Sequence, residues 1–177
     1  MDNISKTIDP KIRLIVTVLL LFSGFVSLAS QTMMITALPV IEHEMNVSLT
    51  LVQWLTTGYT LMVGVITPLS SNLYEKFKKR NIFLATIAIF ILGTLIGCFA
   101  TDFWLLLLAR LVQACASGIL MSFQMTTMIS IYPIEKRGTI LGMSGLVIAF
   151  GPAIGPTLSG LIVNTLGWRY IFILVLP

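Results

Sequence analysis

The feature that most constrains this chain is its succession of long apolar runs. Residues 14–38, 51–71, 82–100, 104–129 and 139–163 are each mostly apolar, and each has about the 20-residue length a helix needs to cross the hydrocarbon core of a bilayer. A sixth run starts at residue 168 and continues to residue 177. Backbone groups inside a bilayer have no water to bond, so each run must satisfy them within its own helix. The expected fold class is therefore an all-α membrane protein, with five full spans and the start of a sixth. Composition supports this. Only 10% of the residues are charged and 56% are apolar, whereas soluble domains carry roughly 25% charged residues and need them to face water.

Residues 1–13 read as an N-terminal segment ahead of the bundle 14–177, and Pro39 is expected to end the first helix. Lys6, Lys11 and Arg13 resemble the basic region of a signal peptide, but the run 14–38 exceeds the roughly 7–15 apolar residues of such a leader. Basic residues favour cytoplasmic connections. Lys6, Lys11 and Arg13 precede span one, Lys76, Lys78, Lys79 and Arg80 join spans two and three, and Lys136 and Arg137 join spans four and five. Alternating spans put all of them on one side. The opposite connections hold Glu42, His43, Glu44, Asp102 and Asn164, with Arg169 as their basic residue. The reading is a multi-pass cell-membrane protein with a cytoplasmic N-terminus. The net charge of +4 thus reflects topology and calls for no nucleic-acid partner; membrane lipid is the expected surroundings.

Polar side chains within spans need their own explanation. Span four carries Arg110, Gln113, Ser117 and Gln124, whose offsets place them on one helix face. A buried charge costs several kcal/mol on contested scales. Arg110 therefore either snorkels to the outer interface or faces a polar cavity. Gln113 and Ser117 continue the same face inward and favour the cavity. Span one has a matching stripe of Ser23, Ser27 and Ser30, with Gln31 beside it, so the two stripes are expected to meet at similar depth; each serine could instead bond back to its own helix.

Small residues recur at every fourth position as Ala114, Gly118 and Ser122 in span four and as Gly151, Gly155 and Ser159 in span five, a spacing that lets helix backbones approach. Span five also holds Pro152 and Pro156, each following a glycine, which predicts a bent helix. Cys98 and Cys115 lie in apolar runs and read as buried small residues. His43 has no Cys or His near it in sequence, which gives no support to a metal site. No acidic residue falls inside a span, and the sequence shows no catalytic triad, metal cluster or phosphate loop. Nothing points to an enzyme.

These motifs resemble the N-terminal part of a major facilitator superfamily transporter, and more narrowly the 14-helix drug:proton antiporters that include lincomycin-type exporters. Gly151-Pro152-Ala153-Ile154-Gly155-Pro156 looks like the antiporter motif of that group. The resemblance implies that this helix packs at the interface of two halves. Arg110 and Gln113 fall on an Arg-x-x-Gln-Gly motif in which Ala114 replaces the glycine, and the resemblance implicates Arg110 in coupling or substrate polarity. Trp168-Arg169 at the start of span six also fits. The connection after span two is similar to Gly-x-Leu-Ala-Asp-Arg-x-Gly-Arg-Arg. It keeps Leu73, the acid at Glu75 and basic charge at Lys76, Lys79 and Arg80, but has Ser71 and Lys78 at the glycine positions. Ala37-Leu38-Pro39 matches the end of span one, while Ser30 stands where the group usually has an acid, so Ser30 cannot carry the proton.

The resemblance implies a major facilitator-type helix bundle, incomplete here, that exports small amphipathic drugs by alternating access, driven by the proton gradient and needing no bound cofactor. The C-terminal half of the transporter would be its partner. Transport and coupling residues would be Arg110, Gln113, Ser30 and Gln31. Trp54, Tyr59 and Ser117 are candidate cavity residues, although Trp54 and Tyr59 suit a membrane interface equally. A facilitator of another small solute, or a truncated membrane protein without transport, are the alternatives.

Overall fold

The computed structural model describes residues 9–176, with the side chains of Ser71 and Glu75 excepted. Residues 1–8 of the expected N-terminal segment, Lys6 among them, Pro177 and the Glu75 carboxylate lie outside the described residues. Those described form helices joined by short turns: α1 (Pro10–Met45), α2 (Leu49–Val52), α3 (Trp54–Lys76), α4 (Lys79–Cys98), α5 (Phe103–Ile131), α6 (Ile134–Thr165) and α7 (Arg169–Leu174). Five helical segments are long and apolar enough to cross a membrane, α2 and most of α3 acting together as the second. The chain is an all-α, multi-pass membrane protein.

Local sequence explains where the helices start and stop. The Asp9 side chain accepts from the Lys11 amide at 2.9 Å, and Pro10 occupies the first turn, where a missing N–H costs nothing. The Asp102 carboxylate accepts from the Leu105 amide at 3.0 Å and starts α5. Pro39 does not end the first helix. α1 runs on to Met45, and Asn46 closes it with φ 50 in the left-handed region, a conformation asparagine tolerates. Proline loses one backbone bond, and packed neighbours in a membrane bundle can make up for it. At 36 residues, α1 is about 54 Å long by its rise per residue, so its ends extend beyond the roughly 30 Å hydrocarbon core. Gly167 turns the chain from α6 into α7 with φ +95, which only glycine adopts freely. α6 remains helical through Pro152 and Pro156.

α5 is the centre of the bundle. It packs along α3 and α4 and crosses α1, and α1 packs along α6. Interior contacts come from close backbone approach as much as from large side chains. A Cβ on Gly93 would stand 2.9 Å from the Gln113 nitrogen and 3.0 Å from the Ala109 carbonyl oxygen, so α4 lies against the α5 backbone. A Cβ on Gly118 would come within 3.1 Å of the Val63 carbonyl of α3. This is small-residue packing, where apolar burial offers no drive because lipid is as apolar as the core. Around it, Met33, Ile41, Leu55, Leu106, Trp168 and Phe172 form one apolar cluster, and Leu20, Ile82, Phe123 and Met128 form a second. Large apolar side chains such as Leu61, Phe99 and Leu146 are exposed on the outside, as suits a surface solvated by lipid chains.

Candidate functional site

The two polar stripes meet in the middle of the bundle. Arg110 is 0% exposed and about 10 Å along α5 from its first residue. Its Nη1 donates to Ser30 Oγ of α1 at 3.1 Å and to Gln113 Oε1 at 2.9 Å. Its Nε reaches the Leu55 carbonyl of α3 at 3.5 Å, and the guanidinium lies 4.2 Å from the centre of the Tyr59 ring. The guanidinium is thus a contact point for α1, α3 and α5. Gln113 extends the network to α4, since its Nε2 donates to Thr94 Oγ1 at 2.8 Å, and Thr94 in turn donates to the Phe90 carbonyl at 2.8 Å. Thr94 thereby orients the amide so that its oxygen faces Arg110.

One turn of α5 further on lies a second knot. Ser27 of α1 donates to Ser117 Oγ at 2.6 Å, and the Tyr59 hydroxyl shares a 2.6 Å hydrogen bond with the same oxygen. Tyr59 is thus under the guanidinium by its ring and tied to Ser117 by its hydroxyl. Ser23 bonds back to the Leu19 carbonyl at 2.7 Å, the local alternative open to any helical serine, while Ser27 and Ser30 reach across.

Arg110 neither snorkels nor faces an open cavity. It is enclosed, and its Nη2 has no hydrogen-bond partner among the described residues. Among the described residues no carboxylate pairs with it, and every acidic residue lies outside the expected spans. Such a charge persists in a membrane interior only with substantial support from its surroundings. Here that support is two hydroxyl and amide acceptors and an aromatic face. The arrangement can hold a fixed positive charge at the crossing of three helices; it contains no group at Ser30 able to take up a proton.

The other expected site residues divide. Gln113, Ser30, Ser117 and Tyr59 join Arg110. Gln31 does not: its Nε2 donates to Thr60 Oγ1 at 2.9 Å on another face of α1. Trp54 stands half-exposed at the start of α3, apart from the cluster. Gly151 and Gly155 are buried against α1, where a Cβ on Gly151 would stand 3.1 Å from Leu28 Cβ and one on Gly155 would collide with Thr32. Ser159 completes that seam, accepting from Thr36 Oγ1 at 2.5 Å and donating to the Met33 carbonyl at 2.7 Å. Pro152 is exposed and Pro156 half-buried, so the glycines make the α1 contact and the prolines point elsewhere. In the connection after α3, Leu73 accepts the Phe77 amide at 3.1 Å as the helix ends. Lys79 Nζ donates to Ser130 Oγ at 2.9 Å, and Lys76 and Arg80 are exposed.

A contact that sequence reading did not find ties the far end of the bundle. The Glu44 carboxylate, at the end of α1, accepts from Trp168 Nε1 at 2.7 Å and from Arg169 Nη1 at 2.5 Å. Arg169 also reaches the Ala100 carbonyl at 3.3 Å and stacks on Trp168 at 4.3 Å. The signal was present as an acid and a base on the same side of the membrane, but long-range pairing has no local period to reveal it.

Fold and centre together define a class: a polytopic helical membrane protein with a buried polar hub between its spans. The family model described as Major Facilitator Superfamily matches residues 20–177, and the chain belongs to that superfamily. It is 45% identical over 99% of its length to the uncharacterized MFS-type transporter YcnB of Bacillus subtilis (strain 168), of which it covers 37%. It is 43% identical over 89% of its length to the lincomycin resistance protein LmrB of the same organism, covering 33% of that protein. With the efflux pump dotC of Dothistroma septosporum (strain NZE10 / CBS 128990) it shares 31% identity over 92% of its length and 28% of the pump's. The chain therefore spans about a third of the length of the curated relatives it matches.

Proposed function

We propose that this chain is the N-terminal helical bundle of a proton-driven exporter of small amphipathic drugs, set in the cell membrane with its N-terminus in the cytoplasm. The observation that carries the reading is Arg110: a guanidinium enclosed between spans, bonded to Ser30 and Gln113, with no carboxylate paired to it among the described residues. A charge so placed costs stability, and ionisable groups within membrane spans are there for transport far more often than for packing. Relatives named for lincomycin resistance and efflux support drugs as the cargo. The basic connections favour the cytoplasmic N-terminus. Alternating access needs a second bundle to rock against the first, so the working unit includes a C-terminal half, and α6, buried chiefly by its contact with α1, offers that half a long free face. Ser30 gives the bundle no protonatable group beside Arg110, so on this reading the proton is bound by a group outside these residues or through a different arrangement around Arg110.

Cells expressing the transporter that contains this chain should accumulate less ethidium and less lincomycin than control cells, and a protonophore should restore accumulation. Unchanged levels of both drugs, with uptake of a metabolite in their place, would make the protein a facilitator of another solute.

A further inference from the structure

A second polar position on α5 stands apart from the Arg110 hub. Gln124 lies on the same helix face, 14 residues on and about 21 Å away at the α-helical rise. It is 5% exposed, and among the described residues its amide has no hydrogen-bond partner. The side chain is buried by its neighbours while its amide stays open to the adjoining cleft, so a group entering that cleft can meet unused hydrogen-bonding capacity. Its surroundings suit a ligand. Gln124 borders a cleft of about 120 Å³ between α1, α5 and α6, also lined by Met121, Met125, Met128 and Leu28. Gly24 makes room for the amide, because a Cβ there would collide with Gln124 Oε1.

We propose that this cleft is a substrate subsite for one ring-sized, uncharged group bearing an amide, carbonyl or hydroxyl. The volume sets the size, since a cavity of about 150 Å³ holds a benzene ring. The three methionines set the tolerance: their unbranched, polarisable side chains adapt to different ring shapes and recur on promiscuous binding surfaces. Gln124 sets the polarity. It offers one acceptor and two donors, and no charged side chain lines the cleft. A substrate would leave its ring among the methionines and its polar head on the amide. The inference rests on the transporter reading for its purpose, but not for its test.

The test is binding to the purified transporter that contains this chain, in detergent micelles, read from the assigned methyl signals of labelled methionines. Benzamide supplies a ring with an amide, and toluene the ring alone. Both should shift the Met121 and Met128 signals more than those of Met125 and Met143, which are 50% and 47% exposed on the outer surface. Gln124→Leu and Gln124→Met should weaken benzamide binding about threefold to tenfold, the range of one hydrogen bond, with toluene changed less than about twofold. Either folded variant reads the same. Equal benzamide affinity in wild type and variants, or shifts no larger at Met121 and Met128 than at Met125 and Met143, would overturn the proposal. Failure here leaves export untouched, and failure of export leaves this binding result untouched.

Discussion

Arg110→Met separates a structural from a functional guanidinium, because the two roles predict opposite results. The substitution removes two hydrogen bonds from Nη1, to Ser30 and Gln113. Interhelical hydrogen bonds in membrane proteins average about 0.6 kcal/mol each. It also removes the stacking over Tyr59, at 4.2 Å, and a desolvated cation–π contact contributes about 2 kcal/mol. The contact to Leu55 at 3.5 Å is at the limit of hydrogen bonding and adds little. Together these losses come to about 3 kcal/mol. Against them stands the cost of keeping an ion out of water, still several kcal/mol after relaxation, which methionine does not incur. Methionine also fills nearly the same elongated space. The two effects nearly cancel, so unfolding of the purified chain in dodecyl sulfate, followed by circular dichroism, should change by no more than about 2 kcal/mol. Drug export by the transporter containing the variant should be lost. A loss of stability above about 4 kcal/mol would show that Arg110 holds the bundle together, and wild-type export would show that the charge has no part in transport.

Gly93→Val should destabilise the bundle by about 1–3 kcal/mol or more in the same unfolding assay, as overpacking does, because a Cβ there meets α5 backbone atoms at 2.9 and 3.0 Å; an unchanged unfolding midpoint would refute the close approach of α4 and α5. Thr36→Cys with Ser159→Cys should form a disulfide on mild oxidation, since the native hydroxyls are 2.5 Å apart and side-chain contact of that kind suits a bridge. Adding Gly155→Leu should abolish the crosslink by forcing α6 off α1, and equal crosslinking in both backgrounds would refute the seam. Glu44→Gln should cost no more than about 1 kcal/mol, because the Arg169 pair is 41% and 43% exposed and such pairs contribute little; a larger loss in the unfolding assay would mean that the clamp holds α7 in place.

Spans were legible because hydropathy over about 20 residues is a local property, and it located all five long helices to within a few residues at most ends. Pro39 misled because a proline rule drawn from isolated helices ignores the neighbours that stabilise a packed one. The polar stripes were legible from helical period, and Arg110, Gln113, Ser30 and Ser117 do converge. What period could not give was their mode of contact. An aqueous cavity and a closed hydrogen-bond network have the same stripe. Choosing between them depends on how closely α1 and α3 approach α5, and that distance is set by glycines and packing elsewhere in the chain. Thr94 illustrates the limit. It sits in an apolar run like any other threonine, and only the fold brings it beneath Gln113.

The central claim, proton-driven drug export by a transporter built on this bundle, is tested most directly in everted membrane vesicles loaded with the transporter that contains this chain. An inward-acid proton gradient imposed across the vesicle membrane should drive ethidium uptake that collapses on adding a protonophore and is absent with Arg110→Met. Ethidium movement that ignores the gradient, or none at all from a transporter that inserts normally, would contradict it.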